Sequence, residues 1–214
     1  MQCTDIFFLK ADICQLGVDQ RKVNMLARDY CDAAKIKNKP IILSHHMLFG
    51  LKAGQEKMSK SDPDSAVFME DTPEDVERKI MSAYCPTKEE EQGKKSACAD
   101  VEDAGTASMQ LNEVKIKNPC LDYLENIIFS PPDSVFLAGE TTYTSFTTVR
   151  EKFLAGEISE ENLKRGLIDA LNKLLEPVRN HFATDENAKD LLSKVRQYKK
   201  ESLPKVSIVR RLSR

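Results

Sequence analysis

Tryptophan is absent, histidine occurs three times, and aromatic residues make up 7% of the 214 positions. Two of the histidines, His45 and His46, are adjacent. Neighbours in an extended chain point to opposite faces, so they do not easily share one metal or one substrate. The six cysteines (Cys3, Cys14, Cys31, Cys85, Cys98 and Cys120) contain no Cys-x-x-Cys pair. That excludes the usual zinc-type spacing, and the cysteines read instead as reduced, small apolar residues of a cytosolic protein. No apolar run approaches the roughly 20 residues that span a bilayer, and no signal-peptide pattern is visible. Charge of one sign is not in excess: 32 Lys and Arg stand against 34 Asp and Glu, for a net charge of -2. General nucleic-acid binders are often strongly basic, so any nucleic-acid surface here has to be a local patch.

What is present suits one large or two small domains, with 41% apolar residues for a core. Ile6 to Leu9 is a continuous apolar run that fits a helix end or a buried strand. A short strand is expected over 10–16, leading to Gly17. A helix follows from about 20 to 35, with Val23, Leu26, Ala27, Tyr30, Cys31 and Ala34 at the 3.6 period. Ile41-Ile42-Leu43, after Pro40, reads as a buried parallel strand. Strand, helix and strand form a βαβ unit, and ligands of open α/β sheets sit at the carboxyl ends of such strands. Gly17–Gln20 and His45–Leu48 both fall there.

The remainder reads as helices. Thr72-Pro73-Glu74-Asp75 is a helix start, with Val76, Ile80 and Tyr84 as the buried stripe and Pro86 as the stop. Residues 87–117 are a charged, then small-residue-rich surface insertion. Asn118-Pro119 opens a helix carrying Leu121, Leu124, Ile127 and Ile128. Ser134–Gly139 and Thr141–Thr144 suit a short hairpin or an irregular link. Phe146 to Leu154 is helical and is closed by Gly156. Ser159 caps the longest helix, which Pro177 kinks or brings near its end. Thr184-Asp185 caps a last helix, and the tail from Lys199 to Arg214 is basic.

Lys57-Met58-Ser59-Lys60-Ser61 puts two ammonium groups and two hydroxyls on one short segment between Gly54 and Pro63. It is either a polar surface loop or a mobile loop that closes on phosphate oxygens. Gln2 and Asp5, at i and i+3, share one helical face and are either surface or pocket residues. Gly17-Val18-Asp19-Gln20 is either a tight turn or a place where backbone approaches a ligand and a carboxylate accepts from hydroxyls.

The lysine-rich segment resembles the KMSKS signature of class I aminoacyl-tRNA synthetases. Three further blocks narrow the resemblance to the tyrosyl enzymes of eukaryotic and archaeal type: Gln2-Cys3-Thr4-Asp5, Leu16 to Lys22, and Ala170 to Arg179. It runs from residue 1 to about residue 200, apart from the insertion. Met1 opens onto what reads as a mid-domain helix, so the chain is expected to be the carboxyl-terminal part of a longer protein, without its front half. The tryptophanyl enzymes share the signature loop but not the Gln2–Asp5 and 170–179 blocks.

The resemblance implies the end of a Rossmann-type catalytic domain (1–70), an α-helical anticodon-binding-type domain (71–200, with the insertion 87–117) and a basic tail (201–214). It implies tyrosine, ATP with Mg²⁺ and tRNA(Tyr) as partners, no protein-bound metal, and a homodimer or pseudo-dimer for the complete enzyme. Gln2 and Asp5 then line the amino-acid pocket, Asp5 accepting from the phenol. Gly17 and Asp19 face the ATP ribose, Gln20 orients the substrate carboxyl region, and Met47-Leu48 meets adenine. Lys57, Met58, Ser59, Lys60 and Ser61 hold the phosphates, with Lys57 and Lys60 stabilising the transition state. His45-His46 is not the family's His-Ile-Gly-His motif, which belongs to the front half, so this chain alone is expected to be inactive. The family's anticodon residues are replaced here by Leu137, Ser159 and Asn162, so anticodon reading is not carried over.

Overall fold

The computed structural model describes residues 1–55, 58–59, 62–87 and 117–202. The chain opens with helix α1 (Gln2–Phe8), which settles the Ile6–Leu9 run as a helix end. Ile6 is buried, but Phe8 and Leu9 are largely exposed. Strands β1 (Ile13–Gly17) and β2 (Ile41–His45) pair in parallel, from Ile13 opposite Ile41 to Gly17 opposite His45. Helix α2 (Arg21–Ala33) joins them, completing the expected βαβ unit.

Alternation along the strands decides what this unit buries. Cys14 packs with Ile6 and Ala27 in a small core, joined at its margin by Ile42, Phe7 and Cys3. Phe7 meets Tyr30 edge-on at 5.2 Å, which ties α1 to α2. The opposite sheet face is open: Ile13, Ile41 and Leu43 are 58%, 54% and 49% exposed. The expected burial of Ile41-Ile42-Leu43 is therefore wrong for Ile41 and Leu43. A parallel strand is buried on both faces only where both are covered, and no described residue covers this one. On α2 the periodic reading also misplaces Leu26 and Tyr30, which are mostly exposed, whereas Asn24 is fully buried.

The second core is larger. Helix α3 (Pro73–Met81) begins at Thr72, whose Oγ1 accepts from Asp75 N while the Asp75 carboxylate accepts from Thr72 N. Those bonds from Thr72 hold the Asp75 carboxyl below the usual carboxylate range. Val76 and Ile80 are buried as expected. The helix ends at Met81, short of Tyr84 and Pro86. The buried ammonium of Lys164 meets that end, donating to the carbonyls of Met81 (2.9 Å) and Ala83 (2.7 Å).

Residues 88–116 of the insertion 87–117 lie outside the described residues. After it, Asn118 caps helix α4 (Pro119–Tyr123), its Oδ1 accepting from Leu121 N at 3.1 Å. The chain continues through a π-helical turn, Leu124–Ile128. Strands β3 (Phe136–Ala138) and β4 (Thr141–Tyr143) form an antiparallel hairpin, closed by Gly139 at φ +63°. Helices α5 (Phe146–Leu154), α6 (Glu160–Thr184) and α7 (Glu186–Ser202) follow. Phe136, Phe153, Leu163, Leu167, Val76 and Leu124 are among the side chains of one continuous core.

Gly166 is where α6 meets the hairpin: a side chain there would run into the Leu137 carbonyl oxygen and the Phe136 ring. Helix α6 continues through Pro177 to Thr184, seven residues beyond the proline, so Pro177 does not end it. Asp185 caps α7 by accepting from Ala188 N at 2.7 Å. Leu191 and Val195 on α7 are exposed. Tail residues 203–214 lie outside the described residues.

Candidate functional site

The parallel register brings the two strand ends level, and the expected nucleotide residues meet there. A Cβ built on Gly17 would stand 2.7 Å from Met47 Sδ and 2.8 Å from Asp19 Oδ1. The Met47 and Asp19 side chains therefore lie directly over the Gly17 backbone, in space that only glycine leaves free. Gln20 joins them, its Nε2 donating to Asp19 Oδ2 at 3.1 Å. Leu48 packs against the large core, so the segment after β2 is anchored in the helical part. The structure thus brings Gly17, Asp19, Gln20 and Met47 together. Gln2 and Asp5 are on α1 with exposed side chains, and no hydrogen bond among the described residues joins them to this group.

The signature loop is closed at its neck by Leu51. Its N–H donates to the Ser65 carbonyl at 2.9 Å, and its own carbonyl accepts from Tyr84 N at 2.8 Å. Ser65 is fully buried; its Oγ accepts from Ser59 N at 2.9 Å and donates to the Asp62 carbonyl at 2.7 Å. Surface ion pairs brace the return: Lys52 with Asp62 and Arg78 with Asp64, both 2.6 Å. The Lys52 ammonium holds the exposed Asp62 carboxyl below its ordinary range. Met58 and Ser59 are on this loop, Met58 being 37% exposed. Lys57, Lys60 and Ser61 lie outside the described residues. The described ends of the loop are thus pinned by the Leu51–Ser65 and Leu51–Tyr84 bonds and the two ion pairs.

Two contacts tie this site to the helices, and their central residues, Asp122 and Lys79, were not singled out from the sequence. Asp122 on α4 is 7% exposed. One carboxylate oxygen takes a bond from His46 Nε2 at 2.7 Å, the other from Phe49 N at 2.8 Å. Asn126 adds a third donor at 3.0 Å. Asp122 therefore grips Met47-Leu48 from both sides. Its signal was an acid inside the apolar stripe Leu121, Leu124, Ile127 and Ile128.

The second tie is a buried ion pair: Lys79 on α3 to Asp71, at 2.6 Å. Lys79 also donates to the Ala66 carbonyl and lies 4.6 Å from the centre of the Phe68 ring. Arg179 on α6 donates to the Asp71 carbonyl at 2.8 Å and to Asn172 Oδ1 at 2.9 Å. The 170–179 block thus fastens α6 to the segment that follows the signature loop.

Leu137 is 52% exposed on the hairpin. Asn162 lies beside Gly139, its Nδ2 3.1 Å from where a Cβ would be. Ser159 Oγ accepts from Asn162 N at 3.2 Å as the helix cap. The three positions converge at the hairpin and the start of α6.

Residues 1–176 match the family of class I tRNA synthetases for tryptophan and tyrosine. Over 205 residues, 93% of this chain, the sequence is 50% identical to cytoplasmic tyrosine–tRNA ligase 1 of Arabidopsis thaliana. The match spans 47% of that relative's length, so the chain covers about half of it. The solved tyrosyl-tRNA synthetase of Leishmania major, in complex with tyrosinol, is 54% identical. It superposes with a TM-score of 0.75, over 94% of this chain and 35% of that one. The tryptophanyl-tRNA synthetase of Giardia lamblia shares the fold at 22% identity and a TM-score of 0.55. On this match the chain belongs to the class I tRNA synthetases of the tryptophan and tyrosine type.

Proposed function

We propose that the chain is part of a cytosolic tyrosine–tRNA ligase. It supplies the ribose and adenine side of the ATP site, the signature loop and a helical tRNA-binding domain. The observation that carries this reading is the convergence of Gly17, Asp19, Gln20 and Met47 at the carboxyl ends of parallel strands. Identity of 54% to a tyrosyl enzyme, against 22% to a tryptophanyl one, supports tyrosine as the amino acid.

The reaction needs no protein nucleophile. The tyrosine carboxylate attacks the α-phosphate of ATP, the bond to pyrophosphate breaks, and tyrosyl-adenylate forms. The tyrosyl group then passes to a hydroxyl at the end of tRNA(Tyr), with AMP leaving. The protein contributes position and charge. Asp19 accepts from the ribose hydroxyls, and the glycine at position 17 lets backbone approach them. Gln20 holds the carboxyl region. Gln2 and Asp5 line the amino-acid pocket, where an Asp5 acceptor left unpaired by phenylalanine supports discrimination of about 10⁴ or more. Lys57 and Lys60 meet the charge that develops on phosphate, and Mg²⁺ arrives with ATP. Residues 1–70 are read as the end of a Rossmann-type domain, residues 71–200 as the anticodon-binding-type domain, and the complete enzyme as a homodimer or pseudo-dimer.

The test is tyrosine-dependent ATP–pyrophosphate exchange by this chain alone, then mixed with a separately expressed front half. Activity only in the mixture is expected. Exchange that prefers tryptophan in the mixture overturns the tyrosyl assignment. Tight tRNA binding without exchange in either case favours a non-catalytic binding module, and its salt dependence reports the phosphate contacts.

A further inference from the structure

The segment between β2 and the signature loop is pinned at two points and open between them. His46 is held through its side chain and Phe49 through its amide, both by Asp122. The His46 carbonyl lies 3.0 Å from His45 Nδ1, and Leu51 is bonded to Ser65 and Tyr84. Between the pins, the N–H and C=O groups of Met47 and Leu48 have no hydrogen-bond partner among the described residues. Both residues are half-buried, and Met47 stands over Gly17 beside Asp19. Peptide groups in such a position are normally paired, so two consecutive open units at the strand ends offer their donors and acceptors to a ligand. An N–H beside a C=O complements the edge of adenine, where N1 accepts and the exocyclic amino group donates. A 6-oxopurine presents the reverse pattern there, a donor at N1 and an acceptor at O6.

Asp122 sets where those open groups stand. Its two carboxylate oxygens span the segment, one on His46 and the other on Phe49, three residues apart. Asn126 Nδ2 donates to Asp122 Oδ1 at 3.0 Å and to the Asp122 carbonyl at 3.1 Å, which fixes the plane of the carboxylate on the π-helical turn. A carboxylate is costly to bury unless its oxygens are engaged, and here both are. Helix α4 does not need these contacts: Asn118 caps it, and Leu121 and Leu124 anchor it in the core. The contacts of Asp122 serve a segment 73 to 76 residues away in the chain.

We propose that Asp122 is a positioning residue for the purine of ATP, holding the open peptide groups of Met47 and Leu48 where they accept adenine and refuse a 6-oxopurine. It acts through His46 and the Phe49 amide and does not touch the nucleotide. The inference rests on the reading of Met47-Leu48 as the adenine side of the site, and assigns the residue that gives this segment its selectivity. Without the carboxylate both pins are lost, and the two peptide units are free to drift out of line with the base edge.

The test is ATP–pyrophosphate exchange by the complete enzyme, with tyrosine, ATP and inosine triphosphate each varied. Asp122→Ala is expected to raise the KM for ATP about tenfold and to cut the preference for ATP over inosine triphosphate by a similar factor. The KM for tyrosine, and kcat per active site, should stay within about twofold. His46→Ala changes a side chain that is 43% exposed, so the core is untouched and one pin alone is lost. It is expected to give the same pattern at about threefold. A fall in kcat, with the KM for ATP and the nucleotide preference of both variants unchanged, shows a role in stability alone and overturns the proposal. So does an equal rise in the KM values for ATP and tyrosine. An unmutated enzyme that uses ATP with tryptophan in place of tyrosine fails the tyrosyl reading, and the nucleotide preference of the two variants still decides this one.

Discussion

The α/β part, residues 1–45, and the helical part, from Leu51 onward, solve burial differently. In the helical part the apolar positions find partners: Val76, Ile80, Leu124, Val149, Leu163 and Leu167 are fully buried in one core. In the α/β part the core is Ile6, Cys14 and Ala27, and Ile13, Ile41 and Leu43 face outward. Polar groups show the same contrast. Buried Lys79, Lys164 and Asp122 each have close partners in the helical part. On the sheet side, Asn24 and Ser44 have buried side-chain atoms without a hydrogen bond, as does Gln55 in the signature loop. The difference teaches where stability and chemistry reside. The helices form a base to which Asp122 holds the strand end carrying the candidate nucleotide residues, while the Asp71–Lys79–Arg179 network holds the segment after the signature loop.

The contrast can be broken most directly by trimming one leucine in each part. Leu167→Ala should cost about 2–5 kcal/mol, while Leu43→Ala should stay within about 0.5 kcal/mol. Urea denaturation of the two variants decides it, and equal losses would mean that the sheet face is covered in solution. A second test separates chemistry from stability. In the complete enzyme, Lys57→Ala or Lys60→Ala should slow adenylate formation about a hundredfold or more, worth about 3–4 kcal/mol, with an unchanged melting curve. An unaltered rate would remove the loop from the mechanism.

The third test uses pH. Burial pushes the Tyr123 hydroxyl up to about 12. Between pH 10 and 12 the folded chain keeps this proton and the unfolded chain loses it, so stability falls as pH rises through that window. The group accounts for roughly 3 kcal/mol of that loss. Tyr123→Phe should flatten the alkaline slope; an identical slope would show that the hydroxyl is not buried in solution. The smallest expected effect probes the joint between the parts. Asp122→Ala should cost about 1–2 kcal/mol and speed hydrogen exchange at the Phe49 amide by roughly 5–30-fold. Unchanged protection at Phe49 would mean that Asp122 does not hold the segment.

Much of the local structure was legible because short-range chemistry controls it. Thr72, Ser159 and Asp185 are caps as their side chains suggest, and Gly139 and Gly156 take the positive φ that turns require. The βαβ order, the hairpin and the limits of α5 follow from periodicity and turn residues. Lys164, Asp122 and Gly166 were not legible as they stand. Each owes its place to groups far away in the chain: the Ala83 carbonyl, His46 with Phe49, and Leu137 with Phe136.

The candidate site divides the same way. Gly17, Asp19, Gln20, Met47 and Leu48 were identified from the strand-end position and the family resemblance, and the parallel register brings most of them together. What the sequence by itself determined was the set of elements, their order and the residue types available at the strand ends, since caps, periods and motifs act over a few residues. Only the tertiary structure decided which apolar faces are covered, which charges can be buried and what clamps Met47-Leu48. Those outcomes depend on contacts between distant segments, such as Asp122 with His46, that no local pattern encodes.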